Sequence, residues 1–196
     1  MNYSSVLSAV SAALAAETRD NTSKQAWQKL YNADATGQAD ACVLGGERFA
    51  GIDPAQVGCW MHARLQAQLA PCHWRVLQAR YGTHKARKVE AISALIAQVN
   101  CAAPRLFVYK AVTAWAIPPL KGLKAGSQGV RRSTDIIVLP DGFYDITTWD
   151  TQGLSRTTYW RWKKSVEATL DQWVGEALAQ AETVLLHEGI LFSKTA

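Results

Sequence analysis

The sequence has no apolar run long enough to cross a membrane. Its longest, Val6–Ala16, falls well short of the roughly 20 residues a spanning helix needs. With six prolines and 19% charged residues, the chain is neither low-complexity nor fibrous. Four cysteines, Cys42, Cys59, Cys72 and Cys101, are too few and too scattered for a disulfide scaffold in 196 residues, so reduced thiols are expected. Catalytic motifs are scarce as well. Gly122, Gly126 and Gly129 lack both the spacing and the preceding strand of a phosphate-binding loop, and no nucleophile elbow occurs. Between residues 54 and 134 the only acid is Glu90, so paired carboxylates for proton transfer are missing there. No catalytic residue and no cofactor is expected.

The same shortage of acid marks out one region. Residues 1–53 carry −2, residues 54–134 carry +11 and residues 135–196 carry −4, which together give the net +5 of the chain. A block at +11 attracts a polyanion, and phosphate neutralisation with counterion release would supply most of the affinity. Double-stranded DNA is therefore the leading partner, with a solvated basic face as the plain alternative.

Spacing and punctuation predict a mainly α chain: a helix-turn-helix type helical domain with one small β-hairpin. Residues 1–52 form an N-terminal helical segment. In it Tyr3, Val6, Leu7, Val10 and Leu14 recur at helical intervals, and no Lys or Arg precedes them as in a secretory leader. A cytoplasmic protein without a membrane partner is expected. Thr22 or Ser23 can cap a second helix through Trp27, Leu30 and Tyr31.

Residues 53–119 form the basic DNA-binding region. Asp53-Pro54 starts a helix with Val57, Trp60, Met61, Leu65 and Leu69 inward; Pro71 opens the next, with Trp74, Leu77 and Tyr81 inward, ending at Gly82. Thr83 can cap a third, whose Val89, Ile92, Leu95, Ile96 and Val99 share a face while His84, Lys85, Arg87 and Lys88 crowd its start. Cations there oppose the helix dipole, so an anion is expected beside them. Helix, glycine turn and basic-ended helix fit a helix-turn-helix element, an ordinary helical hairpin being the alternative. DNA contact is assigned to Arg75, Arg80, Lys85, Arg87 and Lys88. Pro104–Ile117 is a fourth helix, with Leu106, Tyr109, Val112 and Ala116 on its inner side and Lys110 outside.

Residues 120–134 are a basic Gly-rich loop, and its Lys121, Lys124, Arg131 and Arg132 are candidates for facing RNA or a polymerase. Residues 135–196 begin with a hairpin about Pro140-Asp141-Gly142 and continue into a second helix-turn-helix-like unit. Ser155 is the natural N-cap, with Leu154 stapling onto Tyr159. Tyr159, Trp162, Val166, Leu170, Trp173, Ala177, Ala181 and Val184 mark one continuous buried face ending near Gly189. Arg156, Thr157, Thr158, Arg161 and Lys164 are the second set of DNA candidates. Three of the eight tryptophans, Trp149, Trp160 and Trp162, surround this unit, and Trp160 is the one left outside, placed to stack or to anchor a partner. Cys59, His62, Cys72 and His73 allow a zinc site to be drawn, but they lack the paired spacing of structural zinc, and no metal is assigned.

Four stretches, Cys72–Gly82 (CHWRVLQARYG), Lys85–Ile92 (KARKVEAI), Pro104–Pro118 (PRLFVYKAVTAWAIP) and Leu154–Lys164 (LSRTTYWRWKK), resemble the AlpA-type regulators of pseudomonads, which act like the phage Q processive antiterminators. The resemblance extends from about residue 50 onward in overall texture and supplies no residue roles. It implies a factor that binds a DNA element near a promoter and loads onto RNA polymerase paused with its sigma factor. Such a factor then travels with the enzyme and narrows the RNA exit channel, so that nascent RNA cannot form a terminator hairpin. Two other readings stand beside it. One is a conventional dimeric helix-turn-helix regulator using the 159–184 stripe as its dimer face; the other is a nucleic-acid enzyme using the Cys/His set with a metal.

Overall fold

A computed structural model of the chain describes residue 3 and residues 5–16, 54–119 and 137–191. Among these residues six α-helices follow one another: α1 (Val6–Ala16), α2 (Pro54–Gln68), α3 (Pro71–Tyr81), α4 (Lys85–Gln98), α5 (Arg105–Ala116) and α6 (Arg156–His187). None is long and apolar enough to cross a membrane. The caps and breakers set most ends. Pro71 occupies the first turn of α3, Pro104 is the N-cap of α5, and Ser155 Oγ accepts the Thr158 N–H at the start of α6. Gly189, at φ +70°, follows the end of α6 and lets the Ile190 N–H turn back to the Leu185 carbonyl, burying Ile190. The proposed helix around Trp27 and the Asp53 cap lie outside the described residues.

The core is a set of helices around α6. Helix α6 packs on α1, α2, α3 and α5, while α3 pairs with α4 and α1 with α2. At the last contact the helices come close because the facing residues are small: a Cβ on Gly58 would stand 3.2 Å from that of Ala16. The sequence stripe of α6 is buried as expected at Tyr159, Val166, Leu170, Ala177 and Ala181, and Leu185 rather than Val184 closes it. Since the chain's own helices fill this stripe, it is not a free dimer face.

The hairpin about Pro140 does not form: no strand occurs among the described residues, and Asp141–Tyr144 and Ile146–Thr148 are short 3₁₀ turns. Local bonds explain the choice. Asp145 accepts from the Thr147 N–H at 3.1 Å and its hydroxyl at 2.8 Å, while the Trp149 indole donates to the Phe143 carbonyl at 2.6 Å. These satisfy the segment within itself and drive Trp149 into the core. The unit before α6 is therefore a pair of 3₁₀ turns, not the first helix of a second helix-turn-helix.

Helix α5 is also rotated from its expected phase. Phe107, Val108, Ala111 and Val112 are buried, whereas Leu106 and Tyr109 stand about half exposed at 51% and 49%. Finally, His84 rather than Thr83 caps α4, its ring Nδ1 accepting the Arg87 N–H at 3.3 Å.

The α3–α4 turn tolerates little change. Gly82 carries extended backbone, yet a Cβ there would run into the Gln78 carbonyl, which is main chain and cannot swing aside. Gly82→Ala is expected to destabilise the protein by about 1–3 kcal/mol in chemical denaturation, overriding the small entropic gain an alanine normally brings. A variant as stable as the parent would show that the turn opens freely.

Candidate nucleic-acid interface

The five cations assigned to the first unit divide into two groups. Arg75, Lys85 and Arg87 are exposed, on the outer side of α3 and the first turn of α4. Arg80 and Lys88 turn inward. The Arg80 guanidinium donates to the Trp115 carbonyl and lies 5.1 Å over the Trp115 ring, whose indole N–H bonds Asp171 of α6 at 2.8 Å. Lys88 Nζ reaches back to the carbonyls of Arg80 at 3.2 Å and Gly82 at 3.4 Å, closing the C-terminal end of α3. Both are thus braces of the turn that presents the other three. Arg75 and Arg87 meet across a cleft of about 340 Å³ between α3 and α4, together with Gln66, Trp74, Gln78 and Glu90. The Arg87–Glu90 pair, at 3.5 Å and exposed, is too weak to hold Arg87 from a phosphate.

Lys88 titrates abnormally. Burial, helped by the Arg80 charge, lowers its pKa from 10.5 to about 8. Between those values the unfolded chain binds a proton the native chain has released, so this group makes stability rise with pH across that window. The unfolding free energy of the wild type minus that of Lys88→Met is expected to be level below about pH 7 and to climb from pH 8 toward 10. A difference level throughout would contradict a buried ammonium.

At the second set, Arg156, Thr157, Arg161 and Lys164 are exposed along the start of α6, while Thr158 is half-buried and bonded to Ser155. Leu154 is exposed, and its backbone N–H donates to the Tyr159 hydroxyl at 2.8 Å. Below this face Phe107 packs among Trp149, Tyr159 and Trp162 with ring centroids 5.2–5.8 Å apart. Arg80, near the end of α3, covers the Trp115 that bonds Asp171 of α6, and Asp171 lies about four helical turns, or roughly 22 Å along the axis, from Arg156. The two basic faces are therefore separate.

Lys121, Lys124, Arg131 and Arg132 lie outside the described residues. The Cys/His set does not converge on one point. His62 sits edge-on to Trp74 at 5.0 Å, His73 bonds Gln180 at 2.8 Å and faces Glu176, and Cys59 is exposed. Burial, partly offset by Arg75, pushes the Cys72 thiol up, away from the thiolate that a metal or a nucleophilic reaction needs. Among the described residues no three His, Cys, Asp or Glu side chains are grouped to hold a metal.

Other cations of the basic block are held within the fold. Arg64 Nε pairs with Glu188 of the last turn at 2.7 Å, and Lys110 donates to the Thr148 carbonyl at 2.7 Å. Neither role has a local signal, because each partner lies far along the chain. Arg105 is exposed at the start of α5. No family model matches this chain, and neither the curated proteins nor the solved structures contain a match to it.

Proposed function

We propose that this chain is a non-catalytic transcription antitermination factor of the cytoplasm. It binds a promoter-proximal element in double-stranded DNA through the α3–α4 unit. It then loads onto RNA polymerase with its sigma factor and carries the enzyme past terminators by narrowing the RNA exit channel. One observation supports the DNA step above the rest: Arg75, Lys85 and Arg87 stand outward around the start of α4 while Arg80 and Lys88 hold the turn beneath them. A short rigid turn that presents cations at a helix start suits phosphate and groove contact. The polymerase step draws on the resemblance to AlpA-type regulators, and the loop bearing Lys121, Lys124, Arg131 and Arg132 is its candidate for nascent RNA.

Reconstituted transcription tests both steps. On a template with the promoter element and a downstream terminator, added protein is expected to raise readthrough and to remain with the elongating polymerase. Duplex binding without readthrough would make it a conventional regulator, and absence of both would overturn the reading.

A further inference from the structure

Trp160 is the most exposed large apolar side chain among the described residues, at 55%, while its neighbours Tyr159 and Trp162 are drawn into the core. Leaving an indole in water forgoes the stabilisation its burial would bring. Its surroundings are cationic. Arg156 lies one turn before it, Lys164 one turn after it and Arg161 beside it, all exposed on the same side of α6, with Thr157 between. Lys164 Nζ is 5.5 Å from the centroid of the ring, so a cation stands beside the exposed indole on which a flat partner would stack. Glu167 is shared by Lys163 at 3.6 Å and Lys164 at 3.5 Å, and Asp145 stands within electrostatic reach of Arg156, so the four cations Arg156, Arg161, Lys163 and Lys164 still outnumber the two acids.

We infer that the start of α6 is a platform for single-stranded nucleic acid. Trp160 stacks an unpaired base there, and Arg156, Arg161 and Lys164 hold the flanking phosphates. Stacking selects the single strand, because the faces of paired bases are covered within a duplex while every unpaired base offers one. The cations choose a phosphate chain over an apolar protein groove. Among the described residues the elements directly before α6 are two short 3₁₀ turns and not the first helix of a helix-turn-helix, so duplex reading lacks that scaffold at this end.

The assignment shares the nucleic-acid character of the proposed function but uses a different face, so the two fail separately. The test measures binding of the full-length protein to labelled oligo(dT), oligo(U) and a duplex of equal length, by anisotropy at one fixed salt concentration. Trp160→Ala is expected to weaken binding to single strands by between about fivefold and a hundredfold, with duplex affinity unchanged. Trp160→Phe, which keeps a smaller ring, should fall between the two. Trp160→Gln repeats the test should the alanine variant fold poorly, and circular dichroism checks the fold of each. A loss confined to oligo(U) would support the platform and narrow it to RNA. Unchanged single-strand affinity, or equal losses for single strand and duplex, would overturn it. Trp160-dependent binding of single strands by a protein that ignores duplex would uphold this inference and sink the duplex step above.

Discussion

Replacing Arg75, Lys85 and Arg87 together by alanine is expected to lower affinity for duplex DNA roughly a hundredfold near 0.15 M salt, and to reduce the salt slope by about 2.7. The magnitude follows from counterion release. Each phosphate neutralised contributes about 0.9 to the slope of log affinity against log salt, so three contacts carry about two log units between 1 M and 0.15 M. These side chains are exposed, whereas Arg80 turns inward onto Trp115. Their removal should move stability by no more than about 0.5 kcal/mol. Salt-dependent titration of the triple variant beside the wild type checks this, with a thermal melt as control. An unchanged slope would mean that these residues do not meet phosphates. Arg80→Ala gives the opposite signature, a less stable protein with its slope intact, because that guanidinium serves Trp115.

Phe107→Ala carries the largest expected loss of stability, about 3–5 kcal/mol. The ring is fully buried, stacked on Tyr159 at 5.8 Å and edge-on to Trp149 and Trp162 at 5.2 and 5.4 Å. Truncation removes its burial and also leaves three large rings facing a cavity they cannot close without leaving their own contacts. In a protein of ordinary stability that is a third or more of the total. The same cluster seats the first turns of α6, so the variant should also loosen Arg156–Lys164, read as faster amide exchange there than at α3. Denaturant unfolding with a loss below about 1 kcal/mol would show that the four rings do not form one packed unit.

The boundaries of the helices were legible because they rest on local chemistry. Pro71 and Pro104 open helices, Gly82 and Pro118 stop them, Ser155 caps α6 and Gly189 ends it; each acts through its own backbone or its nearest turn. The long stripe of α6 was legible for the same reason, since a period sustained over about seven turns admits one phase. In α5 the period was short and both phases were apolar. Leu106 and Tyr109 compete with Phe107 and Val108 for the interior, and the aromatic pocket formed by Trp149, Tyr159 and Trp162 decides for Phe107. The segment around Pro140 offered a hairpin by its turn residues, but the side chain of Asp145 and the indole of Trp149 met the backbone groups that a ladder would have used.

The sequence by itself determined a helical chain with its basic charge gathered into one block, because composition, caps and spacing act over a few residues. Which cations remain for a partner was decided only by the tertiary structure. Helix α6 brings Glu188 to Arg64, and Asp171 to the Trp115 that Arg80 covers, while the end of α3 offers its carbonyls to Lys88. A long cationic side chain bonds whatever acceptor lies within its reach, and for Arg64 and Arg80 those acceptors come from segments distant in the chain. Arg75, Lys85, Arg87 and the cations around Trp160 face outward because the packing of the other elements leaves them at the surface.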